Sequence, residues 1–173
     1  AADEVAAACA EADGDAWLAN DNSDGQIVIA GSEAGVAAAG EAAKQRGAKR
    51  VVALPVAGAF HTPYMAEARQ RLETAIAATT LGDASVSVVA NVDADVHHDS
   101  GDFAELMAAQ LVSPVRWRET LARLADVGVT AFVEPGPGGV LTGMAKRAVR
   151  GATTLAIATP DDLEKLSELD TTA

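Results

Sequence analysis

The chain has 173 residues, of which 49% are hydrophobic and 3% aromatic, enough to bury a mainly aliphatic core in one domain or slightly more. Its formal net charge of −12 argues against a nucleic-acid surface, which needs clustered Lys and Arg. The single cysteine, Cys9, excludes an internal disulfide and fits a reducing cytosol, and the absence of a long apolar run or a basic-then-apolar leader predicts a cytoplasmic protein without a membrane partner.

Helix and strand patterns alternate along the chain, which favours an α/β fold. In the first third they predict helix, strand, strand, helix and strand, in that order, at residues 3–12, 15–20, 26–30, 33–46 and 49–56. The turn-rich residues 21–25 join the two middle strands as a hairpin, and Ser32 caps the second helix. This order is that of a ferredoxin-like βαββαβ unit whose first strand is missing. We therefore expect residues 1–57 to form a small, partial ferredoxin-like subdomain.

The remaining patterns predict a second, larger α/β part over residues 58–173. Its expected elements are a helix at 63–78, a buried strand at 85–90, a polar loop at 91–101, helices at 102–111 and 117–127, a strand at 130–133, a helix at 138–149, a strand at 155–158 and a helix at 161–169. Cys9 is expected to pack in the core of the first part. The sequence contains no internal repeat.

The most informative segment is Gly58-Ala59-Phe60-His61-Thr62-Pro63, which follows the predicted strand at 49–56. It sets an imidazole on a glycine-containing turn where a strand leaves its sheet, a common position for reacting groups in α/β enzymes. Imidazoles exchange protons near neutral pH, so His61 is a candidate general base. The alternative is a structural histidine. A serine nucleophile is missing, because Gly31-Ser32-Glu33-Ala34-Gly35 has Glu at its centre and is no Gly-x-Ser-x-Gly elbow.

Two other segments suggest ligand chemistry that their spacing does not support. Acidic and histidine residues gather at Asp93, Asp95, His97, His98, Asp99 and Asp102. Their spacing fits neither a calcium-binding EF-hand nor a zinc-binding helix, so a solvated loop without a metal is expected. The glycine-rich segment 134–138 lacks the Lys-Ser/Thr of a nucleotide-binding P-loop.

Four segments, at residues 20–31, 58–63, 110–117 and 134–144, together resemble the C-terminal portion of the malonyl-CoA:acyl carrier protein transacylase family of bacterial fatty-acid synthesis. The acyltransferase domains of polyketide synthases are related to this family. The resemblance extends from about residue 2 to residue 169. It implies that residues 58–173 are the C-terminal part of an α/β-hydrolase-like acyltransferase domain.

The resemblance implies transfer of a malonyl group by a ping-pong mechanism without a cofactor of the enzyme's own. In the family, a serine attacks the malonyl thioester, coenzyme A leaves, and the phosphopantetheine thiol of the carrier protein takes the malonyl group. His61 matches the catalytic histidine, and Gln110 matches the residue whose backbone carbonyl accepts the second N–H of that histidine.

Further residues match positions with a substrate or partner role. Phe60 matches a position that accompanies malonyl rather than methylmalonyl preference, although the ring can equally be a core residue. Asn22 matches a polar position of a hairpin that borders the substrate cleft, here with Asp24 in place of the usual proline. Basic side chains at Lys146, Arg147 and Arg150 are candidates for docking the acidic carrier protein, with solvated helix ends as the alternative.

The family's nucleophilic serine, its oxyanion-hole glutamine and its carboxylate-binding arginine lie upstream of the part that this chain resembles. The chain therefore corresponds to the latter half of the enzyme, with its own missing N-terminal half as a partner. Alone, it is not expected to form the acyl-enzyme. Two alternatives stay open: a non-catalytic scaffold that binds the carrier protein, and an acyltransferase fragment of a polyketide or fatty-acid megasynthase.

Overall fold

The computed structural model describes residues 1–169, which alternate between helices and short strands. The α-helices are α1 (Ala2–Glu11), α2 (Glu33–Gln45), α3 (Ala66–Ala77), α4 (Ser100–Val112), α5 (Trp117–Asp126) and α6 (Val140–Ala148). The strands are β1 (Ala16–Ser23), β2 (Gln26–Gly31), β3 (Val88–Val89), β4 (Val96–His97), β5 (Ala131–Pro135) and β6 (Thr153–Ile157), and 3-10 helices lie at Pro63–Met65 and Pro160–Glu168. Residues 1–117 form one compact unit, and residues 118–169 belong to a second.

The first unit begins with the predicted hairpin, in which β1 and β2 pair antiparallel. Asp24 and Gly25 form its turn, and Gly25 has a φ of +78°, a conformation that costs glycine little. The predicted cap of α2 is also present, since the Ser32 hydroxyl accepts a hydrogen bond from the Gly35 N–H at 3.0 Å. These local features are confirmed.

Small side chains form the core between the hairpin and the two flanking helices. Cys9, Ala16 and Ala39 make one buried cluster, which lets the backbones of α1 and α2 approach the hairpin closely. The predicted packing role of Cys9 is confirmed, and burial raises the pKa of its thiol above the ordinary value. The Cys9 thiol therefore stays protonated at neutral pH.

The strand predicted at residues 49–56 is wrong. The segment has no regular secondary structure, and its apolar side chains are exposed, by 44% at Val51, 53% at Val52, 54% at Leu54 and 59% at Val56. A strand needs a neighbour for its N–H and C=O groups, and within residues 1–169 no strand pairs with this segment. The predicted hairpin and the two predicted helices are present, but the predicted closing strand is not.

The buried strand predicted at residues 85–90 is also wrong in extent and burial. β3 has two residues and pairs with β4, which lies inside the segment predicted to be a loop. Val86 is 69% exposed and Val88 37% exposed. A strand is fully buried only when both faces of its sheet are covered, and in the described residues β3 and β4 form only a two-stranded ribbon.

The second unit contains a βαβ arrangement in which β5 and β6 pair in parallel, with α6 between them in the chain. The register runs from Ala131 opposite Thr153 to Pro135 opposite Ile157. Parallel neighbours need such a crossover connection, so the predicted strand-helix-strand order is confirmed here. The helix predicted at 161–169 is instead the 3-10 helix Pro160–Glu168.

The mixture of helices and strands confirms the α/β class. The predicted division at residue 57 stays a prediction. Among the helices of residues 1–169, none is both long and apolar enough to cross a membrane.

Candidate active site

The turn that carries His61 is held by its neighbours in a costly backbone conformation. His61 has a φ of +63°, in the left-handed region that a side chain other than glycine rarely occupies. Thr62, which is completely buried, donates its hydroxyl proton to the Ala59 carbonyl at 2.6 Å. The Thr62 carbonyl accepts a hydrogen bond from the Met65 N–H at 3.0 Å, which starts the 3-10 helix. The turn therefore fixes the direction in which the half-buried imidazole points.

The His61 ring meets the end of α4. Its Nδ1 lies 2.8 Å from the Gln110 backbone oxygen. A carbonyl oxygen only accepts hydrogen bonds, so Nδ1 carries the proton and donates it. The Gln110 amide nitrogen is 3.5 Å from the same Nδ1, and the shorter contact to the carbonyl is the better hydrogen bond. Nε2 is then the unprotonated nitrogen that can accept a proton.

The position of Gln110 explains why its carbonyl is free for this contact. α4 ends at Val112, so Gln110 is among the last four residues, whose carbonyl groups lack an N–H partner within the helix. Its side-chain amide donates to the Ser113 carbonyl at 3.2 Å, which fixes the chain as it leaves α4. The same chain then joins β1, where Val115 donates to the Ala19 carbonyl and accepts from the Asp21 N–H, both at 2.9 Å.

Phe60 lies immediately before His61 and is 48% exposed. Its ring covers Gly58, since a Cβ atom built on that glycine would lie 3.2 Å from the ring. In the described residues this ring is therefore outside the buried core, and its substrate role stays a prediction. Asn22 lies on β1 near the hairpin turn and is half-buried; the isolated bridge between Asn20 and Val115 connects this strand to the chain that follows Gln110.

In the second unit, Lys146, Arg147 and Arg150 are exposed at the C-terminal end of α6. The N-terminal end of α6 makes a contact that the sequence analysis did not predict.

The Glu134 carboxylate accepts hydrogen bonds from the N–H of Thr142 at 2.8 Å and from its hydroxyl at 3.0 Å. These contacts, led by the Thr142 N–H, lower the pKa of Glu134 below its ordinary value. The sequence offered one signal for this contact, namely an acidic residue immediately before a glycine-rich turn and the start of a helix.

His97 makes a second contact that the sequence did not reveal. Its Nε2 is 2.9 Å from Asp93 and its Nδ1 is 3.4 Å from Asp102. Burial opposes a charge on this ring, but the hydrogen bonds to Asp102 and Asp93 raise the pKa of His97 above its ordinary value. The predicted solvated loop is therefore partly fixed by these two hydrogen bonds. In the part of the chain that the structure describes, no group of three or more His, Cys, Asp or Glu side chains is arranged to hold a metal ion.

Comparison with known proteins identifies the class. The acyl transferase domain family matches residues 2–163, and the chain belongs to this family. Among curated relatives, the malonyl CoA-acyl carrier protein transacylase of Bacillus subtilis is 44% identical over 147 residues, which are 85% of this chain and 46% of that protein.

Solved structures show the same relationship. An acyl-carrier-protein S-malonyltransferase from Burkholderia pseudomallei matches with a TM-score of 0.91 and 37% identity, over 96% of this chain and 55% of that one. A malonyl-transacylase in complex with its type II PKS acyl-carrier protein matches with a TM-score of 0.91 and 34% identity, over 96% and 54%. The chain thus spans about half the length of these relatives and corresponds to their C-terminal part. The resemblance stated from the four segments is confirmed.

Proposed function

We propose that this chain supplies the general base of an enzyme that moves a malonyl group from malonyl-CoA to the phosphopantetheine thiol of an acyl carrier protein. The observation that carries the proposal is the 2.8 Å contact between His61 Nδ1 and the Gln110 carbonyl. This contact leaves Nε2 as the proton acceptor. The names of the relatives support malonyl-CoA and the carrier protein as substrates. The proposed reaction needs no cofactor in addition to these two substrates.

The chemistry follows from the tautomer. His61 Nε2 takes the proton of a serine hydroxyl while the serine oxygen attacks the malonyl thioester carbonyl, and the leaving coenzyme A sulfur then takes that proton. In the second half-reaction the carrier-protein thiol gives its proton to Nε2, its sulfur attacks the malonyl ester, and the serine oxygen recovers the proton. The Gln110 carbonyl stabilises the imidazolium in both halves, in the place of the carboxylate of a triad.

The serine would come from the N-terminal half that the relatives carry and this chain does not cover. The exposed apolar side chains at residues 51–56 support this proposal, because a strand from that half would pair with the segment and cover them. Residues 1–57 would then complete a ferredoxin-like subdomain, and residues 58–173 would join the hydrolase-like part. This chain and that N-terminal half together are called the intact domain. We expect it to act in the cytoplasm.

The direct test is reconstitution. The chain is coexpressed with the N-terminal half of the Bacillus subtilis relative, and transfer of radiolabelled malonyl groups from malonyl-CoA to the phosphopantetheine-bearing carrier protein is measured. We expect transfer by the combination and none by either half alone. Transfer by this chain alone, or stable association of the halves without transfer, would contradict the proposal.

Phe60 is proposed to disfavour methylmalonyl-CoA, because its ring would occupy the space that a methyl branch needs. Replacing Phe60 by Ser in the intact domain should raise the ratio of methylmalonyl to malonyl transfer by about 10–200-fold, the range that one methyl group is worth in an apolar pocket. Competition between the two thioesters measures the ratio. The matched variant Phe60→Leu keeps a large apolar side chain and should change this ratio little. An unchanged ratio in Phe60→Ser would show that Phe60 does not contribute to the choice of substrate.

Lys146, Arg147 and Arg150 are proposed to dock the acidic carrier protein. Replacing all three by Ala should raise the KM for the carrier protein while leaving hydrolysis of malonyl-CoA unchanged, and the effect should shrink as salt is added. The control removes three cations elsewhere, at Lys44, Arg69 and Arg71, each paired with a glutamate on its own helix. Equal effects of the two triple variants would argue against a docking surface.

A further inference from the structure

Tyr64 connects the turn that carries His61 to the start of β1. Its hydroxyl lies 2.6 Å from Asp15 Oδ2 and donates to it. Its ring meets the Trp17 ring edge-on, with centroids 5.2 Å apart and an angle of 75° between the planes, the geometry that aromatic pairs favour. Two independent contacts therefore join a residue three positions after His61 to the same short stretch at the start of the hairpin.

Asp15 is a rigid anchor because its backbone is enclosed. The Asp15 carbonyl accepts hydrogen bonds from the Ser32 N–H at 2.8 Å and from the Ser32 hydroxyl at 3.3 Å. A Cβ atom would lie 2.0 Å from that carbonyl oxygen at Gly31 and 2.2 Å from it at Gly35. Gly31 and Gly35 are therefore required for the close approach of this segment to Asp15. This requirement explains the two glycines, which the catalytic proposal does not.

At the other end of the connection, Tyr64 is hydrogen-bonded to Thr62, the residue that follows His61. The Tyr64 N–H donates to the Thr62 hydroxyl at 3.3 Å, and the same hydroxyl holds the Ala59 carbonyl on the far side of His61. His61 itself occupies a left-handed conformation that costs about 1–3 kcal/mol and persists only when its surroundings enforce it. The imidazole is held by Gln110 from one side, and the chain after it is held by Tyr64 from the other.

We propose that Asp15 and Tyr64 are positioning residues for His61, and that their hydrogen bond keeps the imidazole aligned on the Gln110 carbonyl. This inference rests on the proposed function of His61 as the base. Asp15 and Tyr64 touch no reacting atom and act through the turn. Hydrogen bonding to Asp15 also raises the pKa of the Tyr64 phenol above its ordinary value, so the phenol is protonated and donates throughout the neutral range.

The test replaces Tyr64 by Phe in the intact domain, which removes the hydrogen bond and keeps the ring against Trp17. Tyr64 and Asp15 are both exposed, so the effect is that of one modest hydrogen bond. We expect kcat to fall by about three- to tenfold with KM for malonyl-CoA unchanged. In nitrogen NMR of the histidine ring, the fraction of His61 protonated at Nδ1 should fall. A loss of packing alone would not shift this tautomer.

Asp15 provides the matched variants. Asp15→Ala should lower kcat as much as Tyr64→Phe does. Asp15→Asn should keep most of the activity, because its amide oxygen still accepts the hydrogen bond from the phenol. The Asp15→Ala/Tyr64→Phe double variant should be no less active than either single variant. Glu73→Gln, in an exposed ion pair with Arg69, is the control and should have no effect.

Unchanged kcat in Tyr64→Phe, additive losses in the double variant, or no recovery in Asp15→Asn would overturn the inference. The result for His61→Ala separates the two proposals. An inactive His61→Ala variant beside a fully active Tyr64→Phe variant would refute only the positioning role, whereas an active His61→Ala variant would refute the proposed function itself.

Discussion

Replacing His61 by Ala in the intact domain is expected to lower kcat/KM for malonyl transfer by about 10²–10⁴-fold, the usual contribution of a general base. The variant removes Nε2, the nitrogen that the 2.8 Å contact between Nδ1 and the Gln110 carbonyl leaves free to take a proton. The fold should be retained, because alanine would adopt the same left-handed conformation that histidine already adopts at this position. Steady-state transfer to the carrier protein, together with the far-ultraviolet circular dichroism spectrum, measures both effects.

Variants at His98 and Gln110 are the controls for His61→Ala. His98→Ala removes an exposed imidazole that contacts Ser87 and should leave transfer unchanged. Gln110→Ala keeps the backbone carbonyl that accepts from His61, so its loss should be much smaller than that of His61→Ala. Near-normal turnover of His61→Ala would exclude His61 as the base.

Replacing Gly35 by Ala should destabilise the intact domain, although alanine is the better helix former. The new Cβ would lie 2.2 Å from the Asp15 carbonyl oxygen and 2.5 Å from the Asp15 carbonyl carbon, and both atoms belong to backbone. Overpacking of this kind costs about 1–3 kcal/mol or more, which outweighs the gain of about 1 kcal/mol from replacing glycine in a helix. Urea denaturation of the intact domain measures the difference.

Gly101→Ala is the matched control for Gly35→Ala. Gly101 also lies in a helix, α4, but a Cβ atom there meets nothing within 4 Å. This variant should be neutral or slightly stabilising. A Gly35→Ala variant as stable as Gly101→Ala would contradict the close approach of α2 to Asp15, and with it the anchor on which the positioning of His61 depends.

Features set by neighbouring residues could be predicted from the sequence. The Asp24-Gly25 turn and the Ser32 cap follow from backbone preferences within a few residues, and both are present. The segment at residues 49–56 has the composition of a strand, but pairing depends on a neighbour that is absent from the described chain.

Contacts between distant residues account for what the sequence did not reveal. The hydrogen bond of Tyr64 to Asp15 joins residues 49 positions apart, and no local sequence pattern around either residue predicts it. The contact between His61 and Gln110 has the same separation and was expected only from the family resemblance. Glu134 and Thr142, eight positions apart, meet across a glycine-rich turn whose path local patterns do not determine.

The central claim is that His61 serves a serine that this chain does not contain. Mass spectrometry of the whole protein after incubation with malonyl-CoA, without carrier protein, tests it most directly. The intact domain should gain one malonyl group on a serine of its N-terminal half, the His61→Ala domain should gain little, and the 173-residue chain alone should stay unmodified. A malonyl group on any residue of the isolated chain would contradict the claim, as would rapid labelling of the His61→Ala domain.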